Sequence, residues 1–317
     1  MNESTEPALF ADHQFAGKIV VMVCITPFLP CVIVGNALLV LAVYRQYSLR
    51  TPTNAIIVSL AISNLLDALV GIPLYVYASV FKFYALCLAE ENTLYYTLPF
   101  SALSGVSFFH IVVLTSDRFI AVTKPLRYAS LVTYRRIAIV LGCLWLLSIL
   151  MNTARSVSLA HGSHTSQDQK ETDCGAPLTG TTTVTFTWLI FCVIVILMVA
   201  LLAINALILH IAVKQARKIA SQRVIIQFQQ QQLPVQDDRL KAFKTISLVV
   251  AVFIIFWFPY PLFLILQLIT YQSPFYLMVY NNSFLVLHTI SLVVNPIIYG
   301  FRDRAFRKAF QNILRQL

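Results

Sequence analysis

Charge is what this 317-residue chain has least of. Asp, Glu, Lys and Arg make up 11% of it, against 58% hydrophobic residues and a mean hydropathy of +0.77. That balance lies outside the range of soluble globular domains and places the chain in lipid. Catalytic signatures are missing too: there is no His-Glu-x-x-His pair, no glycine-rich phosphate loop and no Cys/His cluster, and His110, His210 and His288 fall on three different apolar runs. A membrane enzyme needs nucleophiles, ligands or carboxylates gathered together, so that class is disfavoured, and no cofactor is implied. A transporter or channel is the rival class, but it calls for paired internal repeats or a file of intramembrane charges. Asp67, Asp117 and Arg118 are too few and too far apart for a conduit.

What the chain has instead is seven apolar runs, at roughly 18–44, 53–80, 94–121, 137–156, 182–213, 242–270 and 275–300. Each is long enough to cross a bilayer as a tilted helix. Together they predict one all-α domain, a seven-transmembrane helix bundle over residues 18–300, with a tail at 1–17 and a C-terminal segment at 301–317. The Gln-rich stretch Gln227–Gln232, followed by Pro234, is too polar for lipid and lacks apolar periodicity, which predicts a mobile loop or frayed helix ends. In 301–310, Phe306 and Phe310 stand one turn apart with bases on the other face, the pattern of a short amphipathic helix lying at the interface. No cysteine follows it, so a palmitoyl anchor is absent there.

The net charge of +10 would suit nucleic acid if it lay along a soluble face, but the bases cluster beside span ends. Arg45 and Arg50 follow span one; Lys124, Arg127, Arg135 and Arg136 follow span three; Lys214, Arg217, Lys218, Arg223, Arg239, Lys241 and Lys244 separate spans five and six; Arg302, Arg304, Arg307, Lys308 and Arg315 follow span seven. The opposite side carries Lys18, Lys82, Arg155 and Lys170 among eight acids. The positive-inside rule therefore puts the N-terminus outside and the C-terminus in the cytoplasm, with no nucleic-acid partner. The first residues are polar and acidic and the first apolar run is of spanning length, so span one is expected to act as a signal anchor. Asn2-Glu3-Ser4 and Asn281-Asn282-Ser283 fit the glycosylation pattern, and Asn2 is the expected acceptor because Asn281 lies close to the bilayer.

Three cassettes carry the functional signal. Asp117-Arg118-Phe119 closes span three, Trp257-Phe258-Pro259 interrupts span six, and Asn295-Pro296-Ile297-Ile298-Tyr299 ends span seven. Charges at a membrane edge are costly, and prolines inside spans free carbonyls and bend helices, so both are expected to serve a function. With Gly35-Asn36, Leu60-Ala61 and Trp145, these cassettes resemble the rhodopsin-like (class A) G-protein-coupled receptors over nearly the whole chain. Within that class, Ser59-Leu60-Ala61, Ile120-Ala121, Pro125-Leu126-Arg127-Tyr128 with Leu131-Val132-Thr133, and Val293-Val294-Asn295-Pro296 resemble the adenosine receptor branch, with melanocortin receptors as neighbours.

The resemblance implies a plasma-membrane receptor that passes binding of an extracellular small molecule, lipid or peptide to a heterotrimeric G protein through outward movement of span six. Arg118 would be held by Asp117 at rest and released on activation, and Leu126 would insert into the G protein. Trp257 and Phe253 would couple the pocket to the bend at Pro259, against the plainer alternative of aromatics filling a core. Asn295, Pro296 and Tyr299 would do the corresponding work in span seven, with Asn36 as the expected polar neighbour of Tyr299. The pocket candidates are Phe100, Ser104, Tyr260, Leu264, His288 and Thr289, together with Trp257. Phe100 stands where amine receptors carry an aspartate, and Thr289 where opsins carry the retinal lysine, so neither ligand is expected. Leu264 and Cys174-Gly175-Ala176 replace the nucleoside anchors of adenosine receptors. An apolar, aromatic pocket suits a neutral, partly hydrophobic ligand, while the acidic loops leave a basic peptide open. His288 either faces that pocket or is a buried histidine bonded to a neighbour.

Three departures stand out. Asn64 replaces the family's sodium-binding aspartate, which leaves Asn64, Ser107 and Asn295 as a weakened site, because neutral oxygens hold a hard cation less strongly. Asp67, one turn on, reads as a displaced acid, a buried neutral group or, as expected here, an inter-span hydrogen bonder. Arg239 falls where many relatives place an acid that locks the span-three arginine, which predicts a looser resting state and raised basal signalling. Thr93 takes the place of the family's outer cysteine, leaving Cys87 to pair with Cys174 in the oxidising compartment, with two free thiols as the alternative.

Overall fold

The computed structural model describes residues 19, 21–78, 93–164, 181–226, 248, 251–262 and 274–316. Among these residues, six helices are long and apolar enough to cross a membrane: Val21–Arg45, Pro52–Tyr77, Tyr95–Thr123, Tyr134–Val157, Phe191–Ile211 and Asn282–Phe301. A shorter apolar helix, Ala251–Leu262, falls within the sixth of the seven expected spans. The described residues contain no strand. The fold is an all-α transmembrane bundle. Spans two, three and seven bury 56%, 50% and 56% of their central stretches, against 17% for spans four and five, so the former three supply most of the interior and the latter two are the more exposed.

Local chemistry sets the boundaries of these helices. Span two begins at Pro52, a residue suited to the first helical position, where Thr51 Oγ1 accepts the Asn54 amide at 3.2 Å. Its middle is not a regular α-helix: Asp67–Gly71 forms a single π-turn before the helix resumes at Ile72–Tyr77. Span five belongs to a helix running from Thr181 to Ile226, beyond the expected end at 213. The apolar criterion registers the lipid-embedded part alone, whereas Lys, Gln, Arg and Ala beyond it are strong helix formers. The short helix Tyr128–Leu131 links spans three and four.

Spans one and seven pack closely at a glycine. A Cβ on Gly35 would stand 2.7 Å from Pro296 Cγ, so a larger residue there would force the two helices apart. Pro296 has no amide hydrogen and leaves the Leu292 carbonyl without its helical donor. Asn36 Nδ2 supplies one at 3.2 Å, while also donating to Val32 O at 2.9 Å. Gly35 and Asn36 thus answer the same proline, one by its missing side chain and the other by its amide.

The helix after span seven is Arg304–Leu314, three residues later than the aromatic spacing suggested. Asp303 caps it by accepting from the amides of Ala305 at 2.8 Å and Phe306 at 3.3 Å. Phe306, Ala309 and Ile313 are buried, while Arg304, Arg307 and Lys308 are exposed. Phe306 packs on Tyr299 with ring centroids 5.8 Å apart, joining this helix to the end of span seven.

Candidate functional site

At the basic end of the bundle, Arg118 Nε lies 3.4 Å from Asp117 Oδ2. This is ion-pair distance without a directed hydrogen bond, since Nε has no hydrogen-bond partner. The stronger contacts of Asp117 lie elsewhere. Tyr128 donates to Oδ1 at 2.7 Å and Thr53 to Oδ2 at 3.1 Å, and the two hydroxyls are 2.8 Å apart. Burial, opposed by the Thr53 hydrogen bond and aided by the Asp117 charge, pushes the Tyr128 hydroxyl up to about 12, so at physiological pH it remains a donor. Spans two and three and the short linking helix therefore meet on one carboxylate. Sequence reasoning missed Thr53 and Tyr128 as its partners. Leu126, on the same linker, is 100% exposed with no partner in the bundle.

An aromatic column stands farther in. Phe253 and Trp257 stack at 5.1 Å and 22°, and both touch Phe108, at 5.8 and 5.5 Å. The helix is interrupted at Phe258, just before Pro259, which cannot donate to the Ile255 carbonyl. Trp257 next meets Tyr260 at 6.3 Å, Phe284 at 5.7 Å and His288 at 5.7 Å. Phe100 closes the group, 5.2 Å from His288 and 4.5 Å from Tyr75. The structure thus brings Phe100, Tyr260, Trp257 and His288 together, and adds Tyr75 and Phe284 to the expected set.

The polar floor beneath these rings is made by three spans. His288 Nε2 lies 2.6 Å from Asp67 Oδ2 and 3.2 Å from Ser104 Oγ. The inter-span reading of Asp67 is the one observed, and its partner is the bundle histidine. Thr289 is buried with its hydroxyl donated to Leu285 O at 2.8 Å. Leu264, Arg239, Cys87, Cys174 and Asn2 lie outside the described residues.

Asn64 and Ser107 meet one turn toward the basic end, and their oxygens are already engaged. Ser107 donates to Asn64 Oδ1 at 3.1 Å, Asn64 Nδ2 donates to Asn36 Oδ1 at 3.1 Å, and Ser63 Oγ lies 3.3 Å from Ser107 Oγ. Asn295 is buried nearby in sequence to Pro296 but adds no charge. A closed set of neutral groups does not fit a sodium ion, which favours carboxylate oxygen. Asn36 is committed to this network and to Leu292, and Tyr299 Oη is buried without a hydrogen-bond partner, so the expected Asn36–Tyr299 contact is not made. The carbonyl freed by Pro296 takes the amide instead.

A second buried histidine is fully accounted for. His110 Nδ1 donates to Val106 O at 2.8 Å and Nε2 accepts from Ser59 Oγ at 2.8 Å, while Ser59 accepts from Trp145 Nε1 at 3.1 Å. This chain joins spans two, three and four with every polar atom satisfied.

Comparisons with known proteins agree with this arrangement. The chain is 27% identical over 307 residues to the adenosine receptor A2b of Canis lupus familiaris, covering 89% of this chain and 85% of that receptor. It is 27% identical over 300 residues to the adenosine receptor A2a of the same species, covering 89% and 69%. Neuromedin-U receptor 2 of Mus musculus is 26% identical over 296 residues, covering 89% and 72%. Nothing among these relatives supports the conduit reading. The model of the 7 transmembrane receptor (rhodopsin family) matches residues 35–299, from the glycine that seats Pro296 to the tyrosine that packs on the last helix. The chain therefore belongs to the rhodopsin family of seven-transmembrane receptors, which are receptors rather than enzymes.

Proposed function

We propose that this receptor binds a neutral, partly hydrophobic extracellular ligand and answers it by moving the inner half of span six outward, opening a cytoplasmic cleft for a heterotrimeric G protein. The observation that carries this reading is the aromatic column. It runs from Phe100 and His288 through Trp257 to Phe253 and Phe108, so a ligand displacing its outer rings acts directly on the helix bent at Pro259. Arg118, still beside Asp117, marks the resting arrangement. Leu126, fully exposed, is the apolar residue available to the G protein.

A neutral ligand is favoured because, among the described residues, the carboxylate at the pocket floor, Asp67, is already bonded to His288. The relatives include receptors named for adenosine and for neuromedin-U, at nearly the same identity, so likeness does not select one ligand. We place the receptor in the plasma membrane with residues 1–17 outside and 301–317 in the cytoplasm, on the distribution of bases. We also propose that Cys87 pairs with Cys174 and that Asn2 carries a glycan. The test is a screen of neutral lipophilic compounds, nucleosides and peptides against cells carrying chimeric G proteins. A response to a neutral compound, lost in Arg118→Ala, supports the reading; a response confined to basic peptides contradicts the ligand class.

A further inference from the structure

An ionisable group deep in a membrane protein is tolerated when it faces the bundle interior and has a partner there. Asp67 does both. The side chains of Asp67 and His288 are 0% exposed, and their 2.6 Å contact joins spans two and seven. The backbone around the acid is shaped for it. Asp67 opens the π-turn, a feature often found at functional positions. Gly71 closes that turn, and a Cβ there would stand 2.2 Å from Asp67 Oδ1 and 3.1 Å from Phe100 Cα. Without glycine at 71 the carboxylate loses its place.

His288 lies between this anchor and the moving part of the receptor. Phe284 stacks on its ring at 5.8 Å and 26°, and Trp257 meets it edge-on at 5.7 Å and 81°. Trp257 Nε1 is buried and has no hydrogen-bond partner, as are Asp67 Oδ1 and His288 Nδ1. The Trp257 indole is therefore held by ring contacts, and its position follows that of the imidazole. Letting His288 go would strand a buried carboxylate, so the pair resists the rearrangement that frees Trp257.

We propose that Asp67 is a positioning residue for the span-six switch: by fixing His288 it holds Trp257 in its resting place, and breaking the pair raises basal activity. The inference rests on the receptor reading above, but its first test needs no G protein. The chain has three tryptophans, so a Trp145→Phe/Trp188→Phe background in nanodiscs leaves Trp257 as sole reporter. Asp67→Leu removes the hydrogen bond at a somewhat larger volume, Asp67→Asn keeps both the volume and a hydrogen-bonding group, and His288→Phe keeps the ring.

The Trp257 emission is expected to change in Asp67→Leu and His288→Phe and to stay near wild type in Asp67→Asn. Because Asn also matches Asp in volume, the double variant is what separates this role from filling space. On a heterotrimer that the wild type activates, Asp67→Leu and His288→Phe should each raise basal nucleotide exchange by about fivefold or more, and the double variant should match either single one. Unchanged emission in both single variants overturns the proposal, and so do additive effects or unaltered exchange. If the wild type activates no heterotrimer, the receptor reading fails while the emission measurement still decides this one. Should Asp67→Leu not fold, His288→Phe carries the same prediction.

Discussion

Single residues account for the basic end of the bundle. Asp117 and Arg118 were legible in the sequence because a charged pair closing an apolar span is rare and costly. Their surroundings were not legible, since Thr53 lies 64 residues from Asp117 and a threonine at a helix start reads as an ordinary cap residue. Tyr128 was visible as part of a motif, but its hydroxyl's destination depends on how the linker folds back. The two hydroxyls make charge-assisted bonds to one carboxylate, and such bonds contribute roughly 1.5–3 kcal/mol each. Tyr128→Phe is expected to lower the thermal unfolding temperature of the purified receptor and to raise basal exchange, because Asp117 then holds its place less firmly. A variant as stable and as quiet as wild type would contradict this. Leu126→Ala is expected to leave the melting temperature unchanged while reducing exchange, because its side chain touches solvent and not the bundle. Equal loss of stability would place Leu126 in the fold instead.

At the scale of elements, the spans were readable from hydropathy, whereas their irregularities were not. The π-turn at Asp67–Gly71 has one sequence signal that reasoning passed over, a glycine four residues after an intramembrane acid. The helix of span five outruns its apolar stretch because lipid requirements stop at the membrane and helix propensity does not. The junction of spans one and seven is a close contact. Gly35→Ala would push a methyl to 2.7 Å from Pro296 Cγ, and overpacking of this kind costs about 1–3 kcal/mol. It should lower the melting temperature more than Gly142→Ala, where a Cβ meets nothing within 4 Å. Equal effects of the two would refute the close packing. Asn36→Leu removes the donor to the Leu292 carbonyl and the acceptor for Asn64, a loss of about 1–3 kcal/mol for each buried group left unsatisfied.

For the whole molecule, the bundle follows from seven apolar runs, and the receptor class follows from cassettes placed at particular ends of particular spans. The ligand does not follow in the same way. A pocket is assembled from side chains on four or more helices, and its character depends on which charges are already neutralised. His288 illustrates this: the sequence leaves it between a pocket residue and a buried histidine bonded to a neighbour, and in the structure it is bonded to Asp67 and bears on Trp257. The sodium cluster changes in the same manner, from a weakened ion site to a self-satisfied set of neutral groups.

The central claim is that this bundle passes a change at its outer pocket to a G protein at its inner end. The most direct measurement is GTPγS uptake by a panel of purified heterotrimers in the presence of the receptor in nanodiscs, with Arg118→Ala alongside. The wild-type receptor should accelerate exchange on at least one heterotrimer, basal or stimulated, and Arg118→Ala on none. No acceleration on any heterotrimer under any stimulus, or undiminished acceleration by Arg118→Ala, would contradict the claim.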